Sequence, residues 1–228
     1  MSPVLRAVDD LLRAPGRVAE QARAGGDLRA LFLASLAAIV LGAGVFGATL
    51  ATSRGGAQVF YSGVKLPFAL VATLLLVVPA FHTIASGLGR RLRFSGLIAL
   101  TLAAAGRAGL VLIALSPLTW LAFDCGLSYH PGVLLATTCY CLAGISALRL
   151  VLRGIGFDAR GYVIVGLFGL VLLGTGGQTA WMMRPFLGRP GAASVPFLRG
   201  KSGSFFDAIE QSTSDSLGLS PGARDEPR

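Results

Sequence analysis

Charged residues are scarce in this sequence. They make up 14% of its 228 residues, whereas soluble domains carry about 25%. Hydrophobic residues account for 54%, and the mean hydropathy is +0.70. Only Lys65 and Lys201 are lysines among twenty basic residues, so the net charge of +9 comes almost entirely from arginine. The balance excludes an ordinary soluble domain, and without a basic stripe interleaved with aromatics it also predicts no nucleic-acid partner.

The residues from which catalytic and metal sites are built are equally rare. The chain has two histidines and three cysteines, and no aspartate or glutamate falls inside its long apolar runs. Cys139 and Cys141 would point to different sides of a helix, and Cys125 is distant from both. Because there is also no nucleophile motif, phosphate loop or zinc-protease motif, the sequence predicts a non-enzymatic protein without metal or cofactor.

The apolar residues fall into five runs, each long enough for a helix to cross about 30 Å of hydrocarbon. The predicted spans are 31–51, 66–87, 97–123, 133–152 and 162–183. The predicted fold class is therefore all-α: a polytopic membrane protein with a bundle of about five transmembrane helices and an N-terminal interfacial helix. We divide the chain into an N-terminal segment (1–30), a transmembrane domain (31–184) and a polar, partly disordered tail (185–228).

The N-terminal segment has a helical pattern of its own. Its apolar residues are Val4, Leu5, Val8, Leu11 and Leu12. This spacing suits an amphipathic helix on the inner leaflet, with its arginines facing anionic lipid; a short solvated helix is the alternative. Pro15 is expected to interrupt the pattern, and Pro67 is expected in the first turn of the second span, where a missing N–H is harmless.

Arginine distribution predicts the orientation of the bundle. Basic residues cluster in the N-terminal segment and in the second and fourth connections, on one side of a five-span bundle; these are Arg6, Arg13, Arg17, Arg23, Arg29, Arg90, Arg91, Arg93, Arg149, Arg153 and Arg160. The first connection has only Arg54 and Lys65, and the third has none. The positive-inside rule then predicts a cytosolic N-terminus and an outward C-terminus, in a bacterial inner membrane. The basic tail disagrees, and a four-span or re-entrant variant would return it to the cytosol.

Small residues recur every fourth position in three spans. The stripes are Ala34, Ala38 and Gly42; Thr101, Ala105 and Gly109; and Cys139, Ala143 and Ala147. Such stripes let helix backbones approach closely in lipid. They predict tight helix contacts, within the chain or with other membrane proteins or a second copy.

Arg107 is the strongest local anomaly, because it lies ten residues inside the third apolar run. A charge near the bilayer centre usually marks function, whereas one near the surface can extend its guanidinium to lipid phosphate. No acidic residue lies in any span to pair with it, so a buried Arg107 would need Gln178 or freed backbone carbonyls.

Other polar residues are candidates on weaker grounds. His82 follows the helix-kinking Pro79. Gln178 stands beside a glycine cluster, and Trp181 and Arg184 suit a membrane interface. Lys65 precedes Leu66 at the head of the second span.

The segment from Tyr61 to Phe186 resembles small membrane proteins of the Yip1-domain family. The resemblance is carried by Lys65-Leu66-Pro67, by the prolines at Pro79 and Pro117, and by the closing run from Gln178 to Phe186. It implies five spans, a cytosolic N-terminus and partners in membrane trafficking or organisation. The long acidic N-terminal region of that family is missing here, so a trafficking partner does not carry over.

Two hypotheses about function follow. In the first, the chain is a scaffold, organiser or subunit of a membrane complex, in contact with membrane lipids and other membrane proteins. In the second, it is a channel or transporter subunit with a polar site around Arg107, His82 and Gln178.

Overall fold

A computed structural model describes residues 2–52, 55–90, 92–183 and Thr213. Residues 3–182 form seven helices: α1 (Pro3–Arg13), α2 (Pro15–Ala24), α3 (Arg29–Leu50), α4 (Ala57–Gly87), α5 (Phe94–Asp124), α6 (Tyr129–Ile155) and α7 (Ala159–Met182). Helices α3 to α7 are each long and apolar enough to cross a membrane. The predicted all-α, multi-pass architecture is confirmed.

The N-terminal segment holds two helices instead of the single one expected. The Ser2 side chain caps α1 by accepting a hydrogen bond from the Leu5 N–H at 3.3 Å. Pro15 then begins α2 instead of only interrupting the pattern, because a proline in the first helical turn has no partner to lose. Helix α2 ends at Ala24 and is followed by the cap residue Gly25, whose φ of 67° is the left-handed conformation that glycine adopts easily.

The second span begins nine residues earlier than predicted, at Ala57, so the expectation for Pro67 is wrong. Pro67 lies in the interior of α4. Hydropathy alone missed the first turns of α4, because Gln58 and Ser62 are polar. Both are nevertheless buried and hydrogen-bonded to each other at 3.1 Å. A buried polar face therefore lengthens this helix beyond its apolar run.

Contacts between the helices fix their directions. Phe81 of α4 stacks on Phe168 of α7 with ring centroids 4.0 Å apart, and His82 of α4 meets Phe94 at the start of α5. The end of α3 likewise lies beside the start of α4, and the end of α5 beside the start of α6, so consecutive long helices are antiparallel. We call the end with the start of α5 and the end of α6 the arginine-rich end, because Arg23, Arg90, Arg93, Arg153 and Arg160 all lie there.

Helices α3 and α5 form the closest contact in the bundle. A methyl group on Gly42 would lie 2.1 Å from the Gly109 carbonyl oxygen, and one on Gly106 would lie 2.9 Å from the Ser35 Cα. All three predicted small-residue stripes are buried inside the chain. The tight contacts that they predicted are therefore made within one chain, and these faces are already occupied.

Large apolar side chains point outward from the same helices. On α3 they include Leu33, Leu36 and Val40, and on α7 they include Leu167 and Leu170. A soluble bundle would place such residues inside and polar ones outside. An outer surface of large apolar side chains, with small residues at the closest helix contacts, is suited to a lipid environment.

Candidate functional site

Arg107 lies in α5 between residues that let a neighbouring helix come close. Gly106 and Gly109 face the backbone of α3, and Ala105 and Ala108 are buried. The arginine side chain leaves α5 on another side and is half-buried. The glycines of this segment are thus turned to α3, and the guanidinium is turned to α1 and α6.

The guanidinium of Arg107 has three acceptors, none of them a carboxylate. Its Nε donates to the Ser146 Oγ of α6 at 2.8 Å. Its Nη1 donates to the Leu11 carbonyl at 2.5 Å and to the Leu12 carbonyl at 3.2 Å. The expectation that freed backbone carbonyls could serve Arg107 fits this arrangement, although the carbonyls belong to α1 and not to a kinked span.

The Leu11 and Leu12 carbonyls are available to accept hydrogen bonds because α1 ends at Arg13. The last four carbonyls of a helix have no partner inside it, and they form the negative end of the helix dipole. A guanidinium placed there satisfies polar groups and complements their partial charge. Arg107 therefore joins α5, α6 and the C-terminal end of α1.

Arg23 makes a similar contact in the other direction, from an N-terminal helix to the bundle. It lies in α2, and its Nε donates to the Gly154 carbonyl of α6 at 2.7 Å. Its second nitrogen, Nη2, donates to the Arg153 carbonyl. Helix α6 ends at Ile155, so Arg23 also completes a helix C-terminus. Each arginine thus holds the end of a helix that belongs to the other part of the molecule.

Asp158 fastens two connections at the arginine-rich end. Its Oδ1 accepts a hydrogen bond from the Gly161 N–H at 3.2 Å, which caps the start of α7. The same oxygen forms an ion pair with Arg90, in the connection between α4 and α5. Because both side chains are partly exposed, the pair contributes little to stability by itself, but it sets the two connections side by side.

Lys65 lies in the half of the bundle away from the arginine-rich end. It is 2% exposed, on the α4 face that also carries Gln58 and Ser62, about 12 Å from the start of the helix at 1.5 Å per residue. A buried ionisable residue in a span suggests a functional site by default. Lys65 is therefore a second polar position, separate from Arg107.

The remaining candidates are not gathered around Arg107. His82 lies five residues before the end of α4, edge-on to Phe94 at 5.2 Å between ring centroids. Gln178 is exposed near the opposite end of α7. Trp181 belongs to the last turn of α7, and Arg184 and the tail from 185 onward lie outside the described residues, except for Thr213. Arg107, His82 and Gln178 thus occupy three different levels.

A small cavity at the arginine-rich end offers little room for a ligand. It lies between α2 and α5, with Arg23, Arg93 and Gly96 in its lining, and its volume is about 10 Å³. That is about the space of one water molecule. In the part of the chain that the structure describes, no three His, Cys, Asp or Glu side chains lie close enough to hold a metal ion.

Sequence reasoning missed Arg23, Ser146 and Asp158. A serine in an apolar span carries no pattern that reveals its partner, and Arg23 was counted only as a charge that orients the membrane domain. The one signal available was the predicted end of the N-terminal helix, because unpaired carbonyls there require donors.

Comparison with known proteins returned no match among family models, curated proteins or solved structures. The resemblance to the Yip1-domain family stays a prediction.

Proposed function

We propose that this chain is a non-enzymatic multi-pass membrane protein that acts as a scaffold, organiser or subunit of a membrane complex. The observation that carries the proposal is the set of partners around Arg107. The residue most suggestive of chemistry binds two helix-end carbonyls and a serine hydroxyl. Its role is to hold helices together and so to shape the arginine-rich end.

The arginine-rich end is the surface that we propose for partner binding. It combines exposed arginines at the end of α6 with Phe157, a large aromatic residue that is 64% exposed in the connection to α7. Aromatic and arginine side chains are enriched among the residues that dominate protein interfaces. By the positive-inside rule we place this end in the cytosol, in a bacterial inner membrane.

Photo-crosslinking in native membranes tests the proposal. A benzophenone amino acid at Phe157 is expected to form adducts with another protein, or with a second copy. The same group at Leu170, an exposed apolar position on α7, is the matched control and should react mainly with lipid. A chain that forms no protein adduct at Phe157 and is monomeric by native mass spectrometry from lipid nanodiscs would contradict the scaffold proposal.

Lys65 supports a second candidate, a channel or transporter subunit. A buried ionisable side chain within a span is a feature of ion pathways and proton relays. The polar site expected for this function, around Arg107, His82 and Gln178, is not assembled, so we centre the candidate on Lys65. Ion flux into liposomes should then fall for Lys65→Met and remain unchanged for Lys201→Met; equal flux in all three proteins removes this candidate.

A further inference from the structure

We propose that helix α1 is inserted into the lipid leaflet at the arginine-rich end, with Leu5 and Leu12 in contact with acyl chains, the exposed side of α2 facing water and Arg107 fixing the depth. This inference concerns a lipid surface and does not require a protein partner.

The depth of α1 follows from the contacts of α5. Arg107 holds the C-terminal carbonyls of α1, and the adjacent Gly106 faces Ser35 of α3. Ser35 lies about 9 Å beyond Arg29 along α3 at 1.5 Å per residue. The apolar stretch of α3 after Arg29 extends about 30 Å, the thickness of the hydrocarbon core. The end of α1 therefore lies on the apolar side of the boundary that Arg29 marks.

Two large apolar side chains of α1 point away from the bundle, beside the exposed Arg6 and Arg13. Ala7 and Leu11 are buried in the contact with the bundle, whereas Leu5 is 59% and Leu12 is 47% exposed. Leu5 and Leu12 are seven residues apart and share one face of the helix. Helix α1 packs on α3, whose Leu33 and Leu36 also point outward. The exposed leucines thus continue the lipid-facing surface of the span beside them.

Two of the arginines of the helix pair are ion-paired within it, whereas Arg6 is exposed and has no ion pair among the described residues. Arg13 pairs with Asp9 at 3.0 Å, and Arg17 of α2 pairs with Asp10 of α1 at 2.7 Å. Paired charges attract an anionic surface less than free ones do, and interfacial helices bind through buried apolar area as well as charge. The expectation that Arg6 and Arg13 face anionic lipid stays a prediction.

Tryptophan reporters in proteoliposomes test the inference. In a full-length Trp120→Phe, Trp181→Phe background, Leu5→Trp and Leu12→Trp should each lose about half of their fluorescence to lipids brominated near the headgroup end of the chain. Glu20→Trp, on the exposed side of α2, is the matched control and should instead be quenched by aqueous iodide. Phosphatidylcholine vesicles, with and without phosphatidylglycerol, should give the same result.

Three outcomes would overturn the inference. Iodide quenching of Leu5→Trp and Leu12→Trp equal to that of Glu20→Trp would mean a solvated helix pair. If neither bromolipid nor iodide quenched the tryptophans at positions 5 and 12, protein would cover this face of α1. Bromolipid quenching that requires phosphatidylglycerol and disappears at high salt would mean electrostatic adsorption.

The role of Arg107 is tested by adding Arg107→Gln to the Leu12→Trp protein. Bromolipid quenching should fall and iodide quenching should rise, with the helical circular dichroism unchanged. Ser146→Ala removes one of the three acceptors and serves as the milder variant if Arg107→Gln fails to fold; it should shift the quenching in the same direction. If neither substitution moves the Leu12→Trp reporter, Arg107 does not set the depth.

Discussion

The contact between α3 and α5 and the docking of α1 and α2 on the bundle are built in opposite ways. Between α3 and α5 the backbones touch through glycines and alanines, with little room for a methyl group at Gly42, Gly106 or Gly109. The N-terminal helix pair is instead held at its two ends by arginines that bind helix-end carbonyls. Close packing makes the first contact intolerant of added volume. Directional hydrogen bonds make the second sensitive to the identity of a few polar groups.

The largest effect is expected where backbones touch. Gly42→Ala places a methyl group 2.1 Å from the Gly109 carbonyl oxygen, so α3 and α5 must separate, and overpacking of this kind costs about 1–3 kcal/mol or more. Unfolding in mixed micelles measures the loss. Gly144→Ala is the control, because nothing lies within 4 Å of its added methyl group and alanine favours the helix. If both variants are equally stable, the α3–α5 contact is looser than the structure has it.

Arg107→Gln should affect the other region and leave the core intact. The charged donor to Leu11 and Leu12 is lost, and a hydrogen bond to a charged group contributes about 1.5–3 kcal/mol. Amide hydrogen exchange in α1 should therefore accelerate by about 30-fold for a loss of 2 kcal/mol, while exchange in α3 stays unchanged. Arg160→Gln, at an exposed position in the first turn of α7, is the control. Uniform acceleration in α1 and α3 would mean that Arg107 stabilises the whole bundle.

Arg23→Gln is expected to have a smaller effect at the other end of the helix pair. Arg23 is exposed, so water replaces part of what it donates to the α6 carbonyls, and a loss of about 1 kcal/mol is expected. Hydrogen exchange at the C-terminal end of α6 and in α2 should rise together. A rise confined to α2 would show that the end of α6 does not depend on this arginine.

The α3–α5 contact and the docking of α1 and α2 also differ in how much of each could be predicted from the sequence. The spacing of Gly42 and Gly109 in periodic stripes of small residues is enough to predict that α3 and α5 make close helix contacts, but not that they make them with each other. Hydropathy predicts the five spans, except for the first two turns of α4. Those turns were missed because the buried Gln58 and Ser62 are polar. Arg107 was recognisable as an anomaly, but its partners were not. Backbone carbonyls have no sequence signature, and Ser146 is 39 residues away along the chain.

The smallest effect is expected from Arg17→Gln, which sharpens the comparison with Arg107. Arg17 also joins α2 to the last turns of α1, through its 2.7 Å pair with Asp10, but 67% of its side chain is exposed. Exposed ion pairs contribute about 0.2–1 kcal/mol and are screened by salt. Exchange in α1 should therefore change several-fold less than in Arg107→Gln, and the difference from wild type should vanish at high salt. If Arg17→Gln opens α1 as far as Arg107→Gln does, charge attraction between α1 and α2 holds α1 in place as strongly as the carbonyl contacts with Arg107 do.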